Sequence, residues 1–235
     1  MNQNLRNGIV WGVVLVLLAG LVAWYTGLIP NLPFSRSSSG PDLDHTVAFT
    51  AQMSPEAHTI LEKNINATKD ELRSNPENLN AWLDLAIEYK TAGDFKAAVE
   101  VWQYLSKHYP NEAVSLHNLG EYYFHEKKDY AKAESYYRQA ITVMPNFGSN
   151  YTDLYEMYRY AQNDQAKAVA ILQEGIGNTK ELDRASILVV LASYYRDLGN
   201  SAEARKSYVA ARDLARAARN TQMVNLLNAE ISRLH

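Results

Sequence analysis

The chain has 235 residues, a net charge of −3 and no cysteine. The lack of cysteine excludes disulfides, thiolate metal sites and a cysteine nucleophile, and the negative charge argues against nucleic acid as the main partner. The charge is unevenly distributed, since residues 184–235 carry +4 and residues 46–183 carry −7. The basic end is either a solvated helix face or a contact for anionic headgroups or an acidic partner.

The first predicted element is a transmembrane helix within residues 1–29. Residues 9–29 contain no charge and are nearly all apolar, and as a helix they would span about 31 Å, against a bilayer core of about 30 Å. Trp11 lies near one end of this run and Trp24 near the other, as interfacial aromatic residues do. The alternative is a cleaved signal peptide, whose apolar core is only about 7–15 residues long. We therefore predict an uncleaved anchor that contacts the lipid bilayer through residues 9–29.

The flanking charges predict the orientation of this anchor. Arg6 and the α-amino group precede the apolar run, and Arg36 follows it. By the positive-inside rule, the extra amino group favours a cytoplasmic N-terminus. The rest of the chain would then lie outside the cytoplasm, on the periplasmic or extracellular face. Gly8 and Gly12 have the spacing of a helix dimerisation motif, which leaves a homo-oligomer and a chance match both open.

Residues 30–53 are predicted to form a flexible linker between the anchor and the domain of residues 54–235. Proline, serine and glycine dominate residues 30–45. Such a composition cannot bury enough apolar surface to fold. The linker would let the domain move relative to the membrane.

The domain contains a pattern that returns about every 35 residues. Each copy begins with an apolar or aromatic residue. Leucine follows three positions later, a residue that is small in three of the four copies follows four positions later, and tyrosine follows seven positions later. The four sets are Trp82, Leu85, Ala86, Tyr89; Leu116, Leu119, Gly120, Tyr123; Tyr151, Leu154, Tyr155, Tyr158; and Leu188, Leu191, Ala192, Tyr195. This spacing places each set on one face of a helix. A second helix is indicated by a small residue and a bulky one four positions later, in the pairs Ala98 and Trp102, Ala133 and Tyr137, Ala168 and Leu172, and Ala204 and Tyr208.

This pattern resembles the tetratricopeptide repeat (TPR), a helix-turn-helix unit of about 34 residues. The resemblance covers about residues 76–217. The repeats lie near 79–110, 113–145, 148–178 and 185–217. The resemblance implies an all-α, right-handed α-solenoid of about four TPR helix pairs, preceded by the transmembrane helix. Residues 55–74 and 220–234 are predicted to be capping helices, because the end repeats of such an array would otherwise expose an apolar side.

Small residues and prolines fit this architecture. Gly120 and Ala133 lie where two helices must approach closely. Pro76, Pro110 and Pro145 fall between the predicted repeats, where proline ends one helix pair and lets the next begin.

In this family, the first helix of each pair lines a concave face that binds other proteins. The resemblance therefore implies a groove formed by first-helix residues that lie off the packing stripe. These residues are Asn80, Leu83, Asp84, Ile87 and Lys90; His117, Asn118, Glu121, Phe124 and His125; Thr152, Asp153, Glu156, Arg159 and Tyr160; and Val189, Val190, Ser193 and Arg196.

Within this groove we expect Phe124 and Tyr160 to be aromatic contacts and Glu121 and Glu156 to be a carboxylate pair suited to a basic peptide. Some relatives grip a chaperone's C-terminal carboxylate with a lysine–asparagine–arginine clamp. Asn118 matches the asparagine of that clamp, but leucine and aspartate stand at Leu83 and Asp153, where basic residues would be needed. Clamp-type binding is therefore not expected.

No pattern in the sequence indicates catalysis. There is no Walker loop, nucleophile elbow or HExxH motif. His117 and His125 would lie about 12 Å apart on one helix, which is too far to share a metal without other ligands. We expect no catalytic residue, no metal and no cofactor. The expected function is that of a membrane-anchored scaffold or adaptor for protein partners.

The layout of one N-terminal span, a short linker and a TPR array resembles two bacterial groups. These are the TPR subunits of cytochrome c biogenesis and the translocon-associated periplasmic TPR proteins. The resemblance implies a holdase or assembly factor for cytochrome c maturation or for protein secretion. The alternative is a structural component of an envelope complex, such as a pilus or division complex.

Overall fold

The structure is a computed structural model that describes residues 40–234. Within this range it contains ten α-helices and no strand. The helices are α1 (Pro55–Ser74), α2 (Leu79–Ala92), α3 (Phe95–His108), α4 (Val114–His125), α5 (Tyr130–Val143), α6 (Gly148–Glu156), α7 (Gln165–Asn178), α8 (Glu181–Asp197), α9 (Ser201–Ala217) and α10 (Thr221–Ser232). Helix α6 continues as one turn of π-helix over Met157–Ala161.

The predicted transmembrane helix lies outside the described residues, as do residues 30–39 of the predicted linker. Across residues 40–234, no helix combines the length and the apolar character needed to cross a membrane.

The helices are arranged as four successive pairs, α2–α3, α4–α5, α6–α7 and α8–α9, flanked by α1 and α10. Each helix packs against the next one along the chain, and α6 also packs against α8, the first helix of the following pair. The described part of the chain is thus an all-helical, solenoid-like array, and the all-α prediction is confirmed.

The residues of the predicted stripes form the core. Leu85 and Ala86 are 0% exposed, as are the second-helix alanines Ala98 and Ala133. Close helix packing is evident at Gly120, where an added Cβ would come within 2.7 Å of the ring of Tyr137. Glycine is therefore required for α4 to approach α5 this closely.

The turn inside every pair contains one residue in the left-handed region of φ. These residues are Gly93 (φ 84°), Lys128 (φ 56°), Asn163 (φ 55°) and Gly199 (φ 72°). The residue that follows each of them caps the second helix, because the side chains of Asp94, Asp129, Asp164 and Asn200 accept hydrogen bonds from backbone N–H groups three residues further on. The four turns share a left-handed residue and one capping device, whereas the backbone bond from the capping residue to the first helix spans five residues at Asp94 and Asn200 and six at Asp129 and Asp164.

Residues 40–53, here called the N-terminal strap, differ from the predicted flexible linker. They contact the first helix pair and contain neither helix nor strand, with a turn at residues 43–44. His45 Nε2 lies 2.7 Å from Asp94 Oδ2, and the backbone N–H of Ala48 donates to the same oxygen at 2.9 Å. The N–H groups of Thr50 and Ala51 both donate to the carbonyl oxygen of Ala92, at 2.9 and 3.0 Å.

The strap is ordered because it provides apolar side chains and because the domain provides polar partners. Leu43, Val47 and Phe49 pack against the core formed by α1, α2 and α3. Lys69, only 5% exposed, donates from Nζ to the carbonyl oxygen of His45 at 2.6 Å. Burial lowers the pKa of Lys69. The polar composition of residues 30–45 is therefore a poor guide to the behaviour of residues 40–53.

Candidate protein-binding face

The side chains that α2, α4, α6 and α8 direct away from their partner helices form what we call the first-helix face. Polar bridges connect each first helix, or the turn that extends it, to the next. They join Lys90 Nζ to Glu121 Oε2 (2.6 Å), His117 Nδ1 to Asn150 Oδ1 (2.9 Å), Arg159 Nη2 to Asp197 Oδ2 (2.9 Å) and Arg196 Nη1 to Glu230 Oε2 (3.0 Å). The last bridge reaches capping helix α10. Lys90 and Glu121, two groove residues predicted in separate repeats, therefore lie side by side. The partners Asn150, Asp197 and Glu230 are not predicted groove residues, and Asn150 is 0% exposed.

The predicted groove residues differ in how accessible they are. Seven are exposed: Asn80, Asp84, Ile87, His125, Glu156, Tyr160 and Arg196. Eleven are partly buried: Leu83, Lys90, His117, Glu121, Phe124, Thr152, Asp153, Arg159, Val189, Val190 and Ser193. Among these, Leu83, Phe124, Val189 and Val190 pack against the core and have a structural role as well. Tyr160, at 68% exposure, is the most accessible large apolar side chain of the set.

Asn118 is less accessible than a groove residue should be. It is 8% exposed, and its amide donates to the carbonyl oxygen of Val114 at 2.8 Å. Its Oδ1 lies 3.5 Å from Lys90 Nζ. The Asn118 side chain is therefore occupied by contacts within the protein, to α4 and to Lys90. These contacts do not resemble those of a clamp asparagine that binds a partner.

Three carboxylates lie on neighbouring turns of the two middle first helices, α4 and α6. Asp153 Oδ2 is 3.7 Å from His117 Nδ1, Glu121 lies one turn from His117 along α4, and Glu156 lies one turn from Asp153 along α6. We call Glu121, Asp153 and Glu156 the acidic centre. Burial, followed by the charges of Glu121 and Glu156, raises the pKa of Asp153 to about 7, and the charge of Lys90 opposes this rise. The Asp153 carboxyl group is therefore poised between its neutral and charged forms near neutral pH.

The acidic centre has too few cations to balance it. Lys90 pairs with Glu121 at 2.6 Å, and His117 Nδ1 lies 3.7 Å from Asp153 Oδ2. Glu156 is exposed and has neither a hydrogen bond nor an ion pair with any side chain in the described range. An excess of negative charge is therefore presented at this part of the face.

Tyr137 lies close to the acidic centre although it belongs to second helix α5. It is 0% exposed, and its hydroxyl group has no hydrogen-bond partner among residues 40–234. Its ring packs against Gly120 and lies 5.8 Å from the ring of His117, centroid to centroid. Burial raises the pKa of Tyr137, and the charges of Asp153, Glu121 and Glu156 raise it further. A buried hydroxyl group without a partner is costly.

Arg159 is enclosed by aromatic rings at the end of the π-helical turn. Its guanidinium carbon lies 5.7, 5.1 and 4.9 Å from the ring centroids of Tyr155, Tyr160 and Tyr194. Arg159 also pairs with Asp197 and donates to the Tyr155 hydroxyl oxygen. Its charge is already satisfied within the protein, so Arg159 positions Tyr160 rather than offering a free cation.

A second feature of the face is a cleft of about 240 Å³ between α2, α3 and α4. Lys90, Glu121 and His125 supply its polar wall, and Phe95, Trp102 and Tyr122 supply its apolar wall. The last three are absent from the predicted groove. Phe95 and Trp102 belong to second helix α3 and Tyr122 to first helix α4, and sequence periodicity alone does not show that their rings line a cleft.

Across residues 40–234, no group of three histidine, aspartate or glutamate side chains has an arrangement that could hold a metal ion. His117 instead contacts Asn150 and the ring of Phe147, at 5.5 Å between centroids.

Residues 94–146 and residues 185–217 each match a family model described as tetratricopeptide repeat. Among curated proteins, the chain is 31% identical over 86 residues to one described as protein adenylyltransferase Fic from Aedes aegypti. This match covers 34% of the chain but only 17% of that protein, and the activity in its name is the relative's own.

Two solved structures have a similar fold. MamA is 19% identical with a TM-score of 0.53, over 72% of this chain and 99% of MamA. A thermophilic TPR protein from Thermus thermophilus is 20% identical with a TM-score of 0.50, over 74% of this chain and 93% of that one. At these identities the likeness shows a shared fold and nothing more.

Proposed function

Since the chain contains tetratricopeptide repeats, we propose that it is a non-catalytic scaffold that binds a segment of a partner protein on its first-helix face. The observation that carries this proposal is the set of bridges between successive first helices, of which Lys90–Glu121, Arg159–Asp197 and Arg196–Glu230 join partly or fully exposed side chains. Exposed Ile87 and Tyr160 add apolar area to this surface. A surface of this kind suits an extended or helical segment.

Site-specific photo-crosslinking tests this proposal. A photoreactive residue would replace Ile87, Glu156 or Tyr160 on the first-helix face, and Glu100 on second helix α3 would serve as the control. All four positions are exposed. We expect crosslinks to one set of partners from the three first-helix positions and not from position 100. Equal crosslinking from position 100 would show that this face is not the binding surface.

We also propose that the protein is tethered to a membrane through residues 9–29 and that the repeats lie outside the cytoplasm. The support is the uncharged apolar run and its flanking residues. A tether would raise the effective concentration of the repeats near membrane-embedded partners.

The lack of cysteine makes this topology easy to test. A Glu100→Cys variant carries a single thiol at an exposed position, and a membrane-impermeant maleimide should label it in cells whose cytoplasmic membrane is intact. The protein should also stay with the membrane after alkaline extraction. Labelling only after lysis would show that the repeats lie on the cytoplasmic side. Extraction into the soluble fraction would show that residues 9–29 do not anchor the protein in the membrane.

Two narrower roles are compatible with this function. One is a holdase or assembly factor for cytochrome c maturation or protein secretion, and the other is a structural component of an envelope complex. An unfolded apocytochrome segment that ends in its haem-attachment motif should bind the first-helix face in the first role. A purely structural component would show no affinity for such a segment and would instead co-purify with folded envelope proteins.

A further inference from the structure

We propose that the acidic centre binds a lysine or arginine side chain of the partner segment, which enters between Glu121, Asp153 and Glu156 in front of Tyr137. This inference rests on the proposed function, because it specifies the chemistry of the segment that the first-helix face accepts. It concerns one position on that face and is independent of the membrane tether.

The first argument is charge complementarity. His117 Nδ1 on α4 lies 3.7 Å from Asp153 Oδ2 on α6. Glu121 lies one turn from His117 along α4 and Glu156 one turn from Asp153 along α6, and the described residues supply only Lys90 and the ring of His117 as partners for the three carboxylates. Glu156 has no ionic partner in that range, although it is exposed and can move toward an incoming cation. A cationic side chain placed among the three would replace mutual repulsion with attraction.

The second argument is the Tyr137 hydroxyl group. It is wholly buried and lacks a hydrogen-bond partner in the described part of the chain. The ring that carries it lies 5.8 Å, centroid to centroid, from the ring of His117, whose Nδ1 is 3.7 Å from Asp153 Oδ2. Its oxygen can accept a hydrogen bond from the N–H groups of lysine or arginine. Binding would therefore satisfy a polar group that the free protein leaves unsatisfied.

The third argument concerns the protonation of Asp153. Burial and the neighbouring carboxylates raise the pKa of Asp153 to about 7, so part of the population is neutral near that pH. A bound cation would favour the charged form and lower that pKa. Binding of a basic segment should therefore release protons near neutral pH, and the affinity should fall as the pH is lowered below 7.

A peptide-binding measurement tests the inference. The probe is a fluorescent oligolysine peptide, with an oligoglutamate peptide of equal length as its counterpart, and the protein is the full chain in detergent. We expect fluorescence anisotropy to report oligolysine binding and no oligoglutamate binding. Glu156→Gln should weaken oligolysine binding about threefold to tenfold. Glu100→Gln, which removes an equal charge from an exposed position on α3, should change it by less than about twofold.

A pair of tyrosine variants separates a specific site from general attraction to an acidic protein. Tyr137→Phe should keep or raise the melting temperature, because it removes an unsatisfied hydroxyl group, and should weaken oligolysine binding about threefold. Tyr89→Phe is the matched control, since the Tyr89 hydroxyl is also buried without a partner in the described range but its strongest charged neighbour is Asp94. Tyr89→Phe should leave the affinity for oligolysine unchanged.

Equal losses from Glu156→Gln and Glu100→Gln, or an unchanged affinity in both Glu156→Gln and Tyr137→Phe, would overturn the inference. The proposed function has a separate outcome. If crosslinks still concentrate on the first-helix face while the two peptides bind alike, the scaffold function stands and the basic-segment inference fails. If the crosslinks are spread over both helix faces, the scaffold proposal itself fails.

Discussion

Trp82 and Tyr151 occupy the same position in the first and third repeats, and each donates a 2.7 Å hydrogen bond to the carbonyl oxygen of a proline six residues earlier. The acceptors are Pro76 and Pro145, which stand at the corners between repeats. The bond ties each corner to the first turn of α2 or α6. Leu116 has no donor at this position in the second repeat. The aromatic residue that opens the motif therefore contributes a directed bond as well as buried area.

Tyr151→Phe should destabilise the protein by about 1–2 kcal/mol, because the Pro145 carbonyl and the Asn178 amide both lose their partner. Urea unfolding followed by circular dichroism measures this free energy. Tyr137→Phe is the control, since its hydroxyl makes no hydrogen bond within residues 40–234, and its unfolding free energy should be unchanged or higher. Equal destabilisation by both changes would mean that the corner bond contributes little.

Asp94→Ala should cost more than an ordinary helix cap. The Asp94 side chain caps α3, and it also accepts a hydrogen bond from the Ala48 N–H and contacts the His45 ring of the strap. We expect a loss of about 2–3 kcal/mol, of which about 1 kcal/mol is the cap and the rest the strap bonds. Limited proteolysis should then cut within residues 40–53.

Asp129→Ala is the matched control, because Asp129 caps α5 in the same way but has no strap against it. Its cost should be about 1 kcal/mol, with no new cleavage. If residues 40–53 stay protected in Asp94→Ala, the strap is anchored mainly by its apolar side chains.

The stability of the protein should depend on Asp153 in a pH-dependent way. Burial and like charges raise the pKa of Asp153 from 3.8 to about 7, so between these values the folded state retains a proton that the unfolded state releases. The contribution of Asp153 to stability is therefore fully present below about pH 4 and is lost as the pH rises through about 7. The charged or titratable groups that face it are Glu121 and His117 on α4, Glu156 on α6, Lys90 on α2 and Tyr137 on α5.

Asp153→Asn removes this ionisation without changing the shape of the side chain. At pH 8 the variant should be more stable than the parent protein by about 1–2 kcal/mol, and the difference should shrink toward pH 4. Thermal unfolding across this range is the measurement. A stability difference that is constant with pH would show that the folded protein does not raise the pKa of Asp153.

Lys128→Gly should stabilise the protein by about 0.5–1 kcal/mol, because Lys128 has a φ of 56° that glycine adopts at lower cost. The reverse test is Gly93→Ala, where φ is 84° and an added Cβ would come within 2.3 Å of Thr50 Oγ1. This change should destabilise the protein and loosen the strap. Chemical denaturation of both variants checks the prediction, which fails if Lys128→Gly lowers the unfolding free energy.

The helix pairs and their core could be predicted from sequence because both depend on local spacing. Ala98 and Trp102, for example, share a helix face by their four-residue separation alone, and both are buried. The small residue at Gly120 likewise indicates a close helix contact. These features need no knowledge of distant parts of the chain.

The remaining features depend on contacts between residues far apart in sequence. His45 and Asp94 are 49 positions apart, so composition alone made the strap look like free linker. Tyr137 belongs to the core by its spacing, and only the packing of α4 on α5 brings its hydroxyl group near the acidic centre. The π-helical turn at Met157–Ala161 follows a stripe that reads as an ordinary α-helix. That the groove residues bind a partner stays a prediction.

The strap has a mechanical consequence. Its bonds to Asp94 and Ala92 fasten the chain to the first helix pair before it reaches α1. A force applied from the N-terminal side would therefore act on these hydrogen bonds first. The chain would lengthen only after they break. Stretching the protein from that end should then peel the strap away in a separate, low-force step and uncover Leu43, Val47 and Phe49 before any repeat unravels.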